Sequence, residues 1–297
     1  MTGFISRSSS VATALALTVA ALVLPGKPLF AESAGSSESR HVVAIGGSVT
    51  EIVYALGEDK RLIARDSTSI FPAEASSLPD VGYMRALSPE GVLSVNPDLI
   101  LMLEGSGPQE TVDVLRKSGV AMADVPEAYT AEGIVRKVRV VGEVLGVQAK
   151  ADALAGKLEE DLAEAQRAAE SRVPGVRVLF VLSTKAGRIL AAGTDTAADG
   201  ILKLAGAENA TSGFSGYKLL SDEAIVSAAP DVVLMMDRHG DGEASGDALF
   251  DHPALAQTPA GRNKQLIRMN GQLLLGFGPR TAEAVRELSN RLAETAS

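Results

Sequence analysis

The chain has 297 residues, a hydrophobic fraction of 46%, a net charge of −9 and no cysteine. This length can bury one large core or two smaller ones, and the absence of cysteine excludes disulfides, thiolate nucleophiles and thiolate metal sites. The negative charge argues against nucleic acid and anionic membrane surfaces as partners.

The first 31 residues have the pattern of a secretory signal peptide. One basic residue, Arg7, precedes an uninterrupted apolar run from Val11 to Leu24, and small residues follow near Ala31. About fourteen apolar residues are too few for a bilayer core, which needs roughly twenty. We therefore predict a cleaved signal peptide over residues 1–31, export, and no stable membrane insertion. Cleavage changes the net charge from −9 to −11 because it removes Arg7 and Lys27.

Strands and helices alternate through residues 40–146, which we assign to an N-terminal lobe. The first strand begins at His41, and a helix follows at 48–57, where Ser48 and Glu51 have the spacing of a capping box. Further strands are predicted at 61–64, 98–103 and 120–124, with a helix at 109–117. This alternation predicts a mainly parallel sheet with helices on both faces.

Residues 147–172 are predicted to form one long helix that links two lobes. Its apolar residues recur at helical spacing, and they are Ala151, Leu154, Leu158, Leu162 and Ala165. About two dozen residues at 1.5 Å each make a rod of roughly 36 Å. Because no proline interrupts the segment and its composition is not that of a flexible linker, we expect a nearly fixed spacing between the lobes, with a ligand cleft between them.

A second α/β lobe is predicted over residues 175–297. Its strands are expected at 176–182, 189–192, 231–236 and 265–269, and its helices near 199–204, after Ser221 and after Thr281. The predicted fold class is therefore α/β, with two Rossmann-like lobes joined by one long rigid α-helix.

An internal repeat relates the two lobes. The stretches LSPEGVLSVNPDLILM, from Leu87, and LSDEAIVSAAPDVVLM, from Leu220, are identical at eight of sixteen positions. Each reads as a capped helix start, a short helix, a proline stop and an apolar strand. With one residue deleted, the match extends upstream to GYMRALS and GYKLLS. Each copy therefore has a Gly-Tyr pair followed by a basic residue, Arg85 or Lys218.

An exported chain with two α/β lobes and one long linking helix resembles the substrate-binding proteins of bacterial iron-siderophore, cobalamin and haem ABC importers. Within that group, DVGYMRALSPEGVLSVNPDLIL, GYKLLSDEA and LLLGFGPRTAEAVREL resemble the periplasmic hemin-binding proteins, over nearly the whole mature chain. The resemblance implies a monomeric periplasmic protein that is not an enzyme. Such a protein binds haem b as ferric hemin and delivers it to a permease dimer with its ATPase.

The resemblance implies that Tyr83 is the axial ligand of the haem iron. Tyrosine is a known ligand of ferric haem, but its phenol ordinarily titrates near pH 10, so the phenolate needs the iron and nearby positive charge. Arg85 is close in sequence. Arg280, in the loop GFGPR, corresponds to the family's second basic residue at the pocket.

Five further residues are candidates for the haem pocket. Met84 and Lys218 adjoin the two tyrosines, and Tyr217 either closes the other side of the cleft or only packs there. Gly47 and Ser48 lie in a glycine-rich turn before a helix, where an anion such as a propionate can bind. Such a turn is also common without any ligand.

His239 lies in a polar loop after a strand and is an alternative iron ligand, although loop histidines are more often unliganded. Glu90 and Glu223 occupy the same position in the two repeats. Each carboxylate is stabilised by the positive end of its helix dipole. In related importers one exposed glutamate on each lobe meets basic residues of the two permease subunits, so both residues are candidates for permease docking.

Four other functions compete with haem transport. A zinc or manganese importer protein needs several His and carboxylate ligands, and three scattered histidines fit it poorly. A siderophore or cobalamin binder shares the fold, but its ligand lacks an open iron for a tyrosine to coordinate. A hydrolase needs a nucleophile elbow, and no GxSxG occurs, while a haem enzyme needs a distal acid-base group.

Overall fold

A four-stranded parallel sheet lies at the centre of the N-terminal lobe in the computed structural model, which describes residues 41–173, 175–185, 187–237 and 249–295. The strands are β1 (Val42–Ile45), β2 (Leu62–Arg65), β3 (Leu99–Leu103) and β4 (Ala121–Val125), in the order β2-β1-β3-β4. The central strands β1 and β3 are completely buried, as expected for apolar runs covered on both faces.

Four α-helices accompany this sheet within the described residues. They are α1 (Gly47–Ala55), α2 (Pro89–Leu93), α3 (Gln109–Lys117) and α4 (Ala131–Val144), and two single turns of 3-10 helix lie at Asp59–Arg61 and Ala73–Ser77. Helix α4 is missing from the sequence prediction. It nevertheless has a local start signal, because the Thr130 hydroxyl accepts a hydrogen bond from the Gly133 N–H at 3.1 Å.

The linking helix α5 (Gln148–Glu170) lies where the apolar periodicity places it. Its buried residues are Ala151, Ala155, Leu158, Leu162, Ala165 and Ala169, whereas the predicted Leu154 is only partly buried. It packs along α4 on one side and along α11 (Thr281–Thr295) on the other. Gly142 allows the close approach of α4, since any side chain there would collide with Ala151. The linking helix is therefore held between two helices.

The second lobe contains a six-stranded mixed sheet. Its strands are β5 (Arg177–Lys185), β6 (Arg188–Ala192), β7 (Glu208–Asn209), β8 (Tyr217–Leu219), β9 (Val232–Asp237) and β10 (Leu266–Asn270). Their order is β10-β9-β5-β6-β8, and β7 pairs with the first residues of β5. The β6 pairings to β5 and β8 are antiparallel. A mainly parallel sheet is therefore correct for the first lobe and only partly correct for the second.

Five shorter helices cover the second sheet. They are α6 (Ala197–Leu204), α7 (Asp222–Ala228), α8 (Pro253–Ala256), α9 (Pro259–Asn263) and α10 (Gly271–Leu275). The β5 side chains alternate between two cores. Val178 and Phe180 belong to a large core that also includes β1, α4 and α5, while Leu179 and Val181 belong to a smaller core beneath α7 and α8. The two lobes thus share one continuous core.

The internal repeat is a structural unit in both lobes. Ser88 and Ser221 cap α2 and α7, with each hydroxyl 3.0 and 3.2 Å from the backbone nitrogen three residues later. Asp98 and Asp231 use a carboxylate oxygen to accept the backbone N–H at the start of the neighbouring strand, at 3.2 and 3.0 Å. The serine and aspartate shared by the two repeats therefore make equivalent hydrogen bonds in both lobes.

The predicted capping box at the start of α1 is wrong. The residue that precedes the helix is Gly46, with φ of 107°, and a side chain there would lie 2.7 Å from Leu103 Cβ. Ser48 and Glu51 are buried inside the helix, at 2% and 5% exposure. Their side chains bind residues from distant segments instead of the local backbone.

The predicted signal peptide, residues 1–31, and His239 lie outside the described residues. In the ranges given above, no helix combines the length and apolar composition that crossing a membrane requires.

Candidate ligand-binding cleft

The Tyr83 loop presents an exposed phenol on a backbone held in place. Gly82 has φ of 106°, which favours glycine, and the next residue, Tyr83, is 44% exposed. The loop backbone is fixed by a 2.8 Å hydrogen bond from the Gly107 N–H to the Met84 carbonyl. Arg85 Nη1 donates to the Tyr83 phenol oxygen at 3.4 Å. The loop therefore pairs an accessible tyrosine with a cation.

Tyr217 occupies a different setting in the second lobe, on the edge strand β8. It is 38% exposed. Burial raises the pKa of its phenol and the neighbouring Tyr129 adds to the increase, while Arg85 opposes it. Because Arg85 also contacts Tyr83, one guanidinium influences tyrosines from both lobes. Lys218 does not contribute in the same way, because its Nζ lies 5.2 Å from the centroid of the Phe214 ring.

Tyr129 is a cleft residue that the sequence analysis missed. It lies in the loop between β4 and α4, and its ring meets Phe277 edge-on, with centroids 5.2 Å apart. Burial and Glu127 raise the pKa of Tyr129, and Arg85 opposes the increase. The signal that was available is its place after the carboxyl end of a parallel strand, where ligand-contacting loops of open α/β sheets gather.

Arg280 is engaged with the first lobe. Its Nε and Nη2 each lie 3.1 Å from a Glu51 carboxylate oxygen, and its backbone N–H donates to the same carboxylate at 3.1 Å. Its guanidinium carbon lies 3.4 Å from the Phe71 ring centroid. Burial raises the pKa of Glu51, and Arg280 opposes that increase. Its charge is therefore already paired, and the cation beside Tyr83 is Arg85.

Exposed apolar side chains are concentrated on these same segments. Six large apolar residues are well exposed among the described residues, and four of them are Phe71, Tyr83, Tyr217 and Leu219. Tyr217 and Leu219 share a face of β8 because side chains alternate along a strand. A flat apolar ligand between the lobes would cover surface of this kind.

Comparison with known proteins identifies the family. A family model described as periplasmic binding protein matches residues 42–273. The chain belongs to the periplasmic binding protein family. It is similar to the solved structure of the periplasmic heme-binding protein BhuT in complex with two hemes, with 38% identity, a TM-score of 0.81 and coverage of 86% of this chain and 99% of BhuT.

Two further relatives widen the comparison. The heme-binding protein RhuT from Roseiflexus sp. RS-1, in apo form, is 35% identical with a TM-score of 0.82, covering 87% of this chain and all of RhuT. The vitamin B12-binding protein of Vibrio parahaemolyticus is 26% identical over 268 residues, covering 88% of this chain and 93% of that protein. The resemblance inferred from the motifs and the two-lobed α/β fold are both confirmed.

Three predicted pocket residues of this periplasmic binding protein are buried away from the cleft surface. Met84 is 8% exposed and packs in the core of the first lobe. The Gly47 N–H donates to Thr68 Oγ1 at 3.1 Å, and its carbonyl accepts from Gln272. Ser48 Oγ accepts a hydrogen bond from Lys137 Nζ at 3.2 Å. The glycine-rich turn is thus occupied by protein groups, and the proposed propionate cradle is not supported.

Glu90 and Glu223 are both exposed in the first turns of α2 and α7. Hydrogen bonds from its own backbone N–H and from Ser221 lower the pKa of the Glu223 carboxyl. A shallow groove of about 380 Å³ adjoins Glu223 and is lined by Asp222, Val226, Ser227, Ala254 and Gln257. Each lobe of this periplasmic binding protein therefore presents an exposed glutamate at the same position of the repeat.

Proposed function

We propose that this periplasmic binding protein captures ferric haem between its lobes, with Tyr83 as axial ligand, and delivers it to an ABC permease. The observation that carries the proposal is the exposed Tyr83 phenol with Arg85 Nη1 at 3.4 Å. The Arg85 guanidinium donates to the phenol oxygen and places a positive charge beside the atom that would bind the iron. The bound haem supplies the ferric iron that the phenolate coordinates, and the chain supplies the ligand, the neighbouring cation and the apolar walls.

The relatives favour haem over cobalamin as the ligand. The two named heme-binding proteins are 38% and 35% identical to this chain, against 26% for the vitamin B12-binding protein. Cobalamin binding is the alternative function, and it would leave the Tyr83 phenol, beside Arg85, without an open iron to coordinate. The protein would act in the periplasm as a monomer after removal of residues 1–31.

A titration of the purified mature protein with hemin and with cyanocobalamin tests this proposal. We expect hemin to produce a high-spin, tyrosinate-type visible spectrum and excess cyanocobalamin to leave it unchanged. Tyr83→Phe should abolish that spectrum, because phenylalanine keeps the ring and removes the ligand. Tyr54→Phe is the matched control, since Tyr54 lies on α1 and is partly buried. Displacement of hemin by cyanocobalamin, or an unchanged spectrum in Tyr83→Phe, would contradict the proposal.

Delivery to the permease rests on the matched carboxylates of Glu90 and Glu223. A permease dimer with twofold symmetry suits one acidic contact on each lobe. Each exposed ion pair contributes little because solvent screens it, but two engaged together orient the complex and speed the encounter.

A further inference from the structure

A fully buried lysine lies at the boundary between the lobes. Lys137, on α4, has no exposed surface, and its Nζ lies 2.6 Å from Glu127 Oε1, 3.2 Å from Ser48 Oγ and 3.1 Å from the Phe277 carbonyl oxygen. An ammonium has three N–H donors, and burying it is costly unless all are satisfied. The three acceptors belong to three separate segments, so this lysine joins the β4–α4 loop, α1 and the GFGPR loop.

The GFGPR loop is held in a conformation that requires such support. Phe277 has φ of 48°, in the left-handed region that is unfavourable for a bulky residue. Its carbonyl is bound by Lys137, and its ring contacts Tyr129 from the first lobe. Gly200 on α6 completes the contact, because a side chain there would lie 2.6 Å from Tyr129 Cβ.

The far end of the same loop is fixed to the same helix of the first lobe. Arg280 binds Glu51 on α1, and Ser48 on α1 binds Lys137. Two cations, Lys137 and Arg280, are thereby balanced by two carboxylates, Glu127 and Glu51. Burial lowers the pKa of Lys137 and raises that of Glu127, and their mutual attraction opposes both changes.

Buried ion pairs add little net stability, because the cost of desolvation offsets the attraction between the charges. Their hydrogen bonds do impose one geometry. We infer that Lys137 is a positioning residue of the cleft, which holds the loop from Phe277 to Arg280 against the first lobe and so sets the distance between Tyr83 and Tyr217. The expected effect of Lys137 on ligand binding rests on the proposed haem site. Its expected effect on the spacing of the lobes rests on the geometry alone.

The test uses substitutions that distinguish an effect on the spacing of the lobes from a loss of folding stability. Lys137→Met keeps the apolar stem and removes the three donors, but it leaves Glu127 with an unpaired buried charge. Lys137→Met with Glu127→Gln removes that charge and keeps the protein foldable if the single variant is not. Lys150→Met is the matched control, because Lys150, at the start of α5, pairs with Glu58 of the first lobe without contacting the second lobe's GFGPR loop, and its side chain is 55% exposed.

The distance between the lobes is measured by double electron–electron resonance. Because the chain has no cysteine, Val114→Cys on α3 and Ser227→Cys on α7 give one exposed spin label on each lobe. We expect a narrow distance distribution in the parent and in Lys150→Met, and a broad or shifted one in the folded double variant. Hemin should dissociate from the double variant about tenfold faster, with the tyrosinate spectrum retained because the Tyr83 loop is unchanged.

A parent-like distance distribution in the folded double variant would overturn the inference, and so would a parent-like rate of hemin dissociation. If the parent binds no hemin, the proposed function fails, and the distance distribution alone decides whether Lys137 positions the lobes.

Discussion

The Gly82-Tyr83 and Gly216-Tyr217 segments are counterparts in the internal repeat, yet they place tyrosine in different chemical settings. Both glycines have positive φ, 106° and 77°, and both tyrosines are exposed. In the first lobe the segment is a loop, and Arg85, two residues after the tyrosine, contacts its phenol. In the second lobe the segment is strand β8. Among the described residues, the basic residue of the segment therefore contacts its own tyrosine in the first lobe only.

The difference comes from one residue of spacing. GYMRALS has a residue between tyrosine and the basic side chain, whereas GYKLLS has none. Adjacent side chains of a strand point to opposite faces, so Lys218 cannot share a face with Tyr217, and it lies over Phe214. Tyr217 instead lies within the influence of Arg85 from the first lobe. The spacing of a basic residue thus matters more than its presence.

The strongest test of this difference compares Tyr83→Phe with Tyr217→Phe. We expect the first to weaken hemin affinity roughly 100-fold, about 2.7 kcal/mol, and the second to change it less than about threefold. The reason is that, of these two tyrosines, Tyr83 alone has a cation within hydrogen-bonding distance among the residues that the structure describes. Hemin titration followed by absorbance measures both. A larger loss in Tyr217→Phe would show that the second lobe supplies the ligand.

Arg280→Ala tests the contact between the lobes, which has no counterpart in the repeat. It leaves the buried Glu51 carboxylate unpaired. Breaking a fully buried pair costs about 3 to 5 kcal/mol, and since Arg280 is partly exposed we expect a loss of about 2 kcal/mol in the free energy of unfolding near neutral pH.

This loss should depend on pH. Burial raises the pKa of Glu51 and Arg280 opposes that increase, so without Arg280 the folded state should bind this proton still more tightly than the unfolded state does. The destabilisation should therefore shrink as pH falls and Glu51 becomes protonated in the folded variant, and it should grow as pH rises. Urea unfolding at several pH values measures it, with Arg280→Ala plus Glu51→Gln as control. A loss of stability that does not change with pH would contradict this explanation.

Arg85→Ala and Lys218→Ala form the next matched pair. Removing Arg85 should lower hemin affinity about tenfold and raise the pH at which the phenolate–iron bond forms, because the cation that favours the phenolate is lost. Removing Lys218 should leave both unchanged. Spectrophotometric pH titration of the hemin complexes distinguishes them. Equal effects of the two substitutions would mean that spacing does not decide which cation acts.

The smallest expected effect on stability and hemin binding comes from the double variant Glu90→Gln with Glu223→Gln. These two residues occupy the same position of the repeat in the two lobes. Both residues are exposed, so the melting temperature should stay within about 2 °C of the parent, and hemin binding should be unchanged. Transport through a reconstituted importer should fall by about tenfold or more. Glu159→Gln with Glu160→Gln, two exposed acids on α5, is the control. Normal transport by the folded double variant would leave Glu90 and Glu223 as helix-start acids.

The sequence by itself determined the features that depend on local pattern. The apolar periodicity of residues 147–172 predicted α5, and the serine caps with their proline stops predicted the repeat unit in each lobe. The resemblance of the Gly-Tyr and GFGPR motifs predicted the family. Such features are readable because caps, turn residues and hydrophobic periods act over a few neighbouring residues.

Only the tertiary structure decided which polar groups are buried together. Lys137 occupies a core position of α4, and its partners come from 10, 89 and 140 residues away. Arg280 reaches Glu51 across 229 residues, and this contact, not a capping box, explains the buried glutamate. A buried charge is tolerated only where its partners converge. That convergence is a property of the packed lobes, so no local pattern in the sequence predicts it.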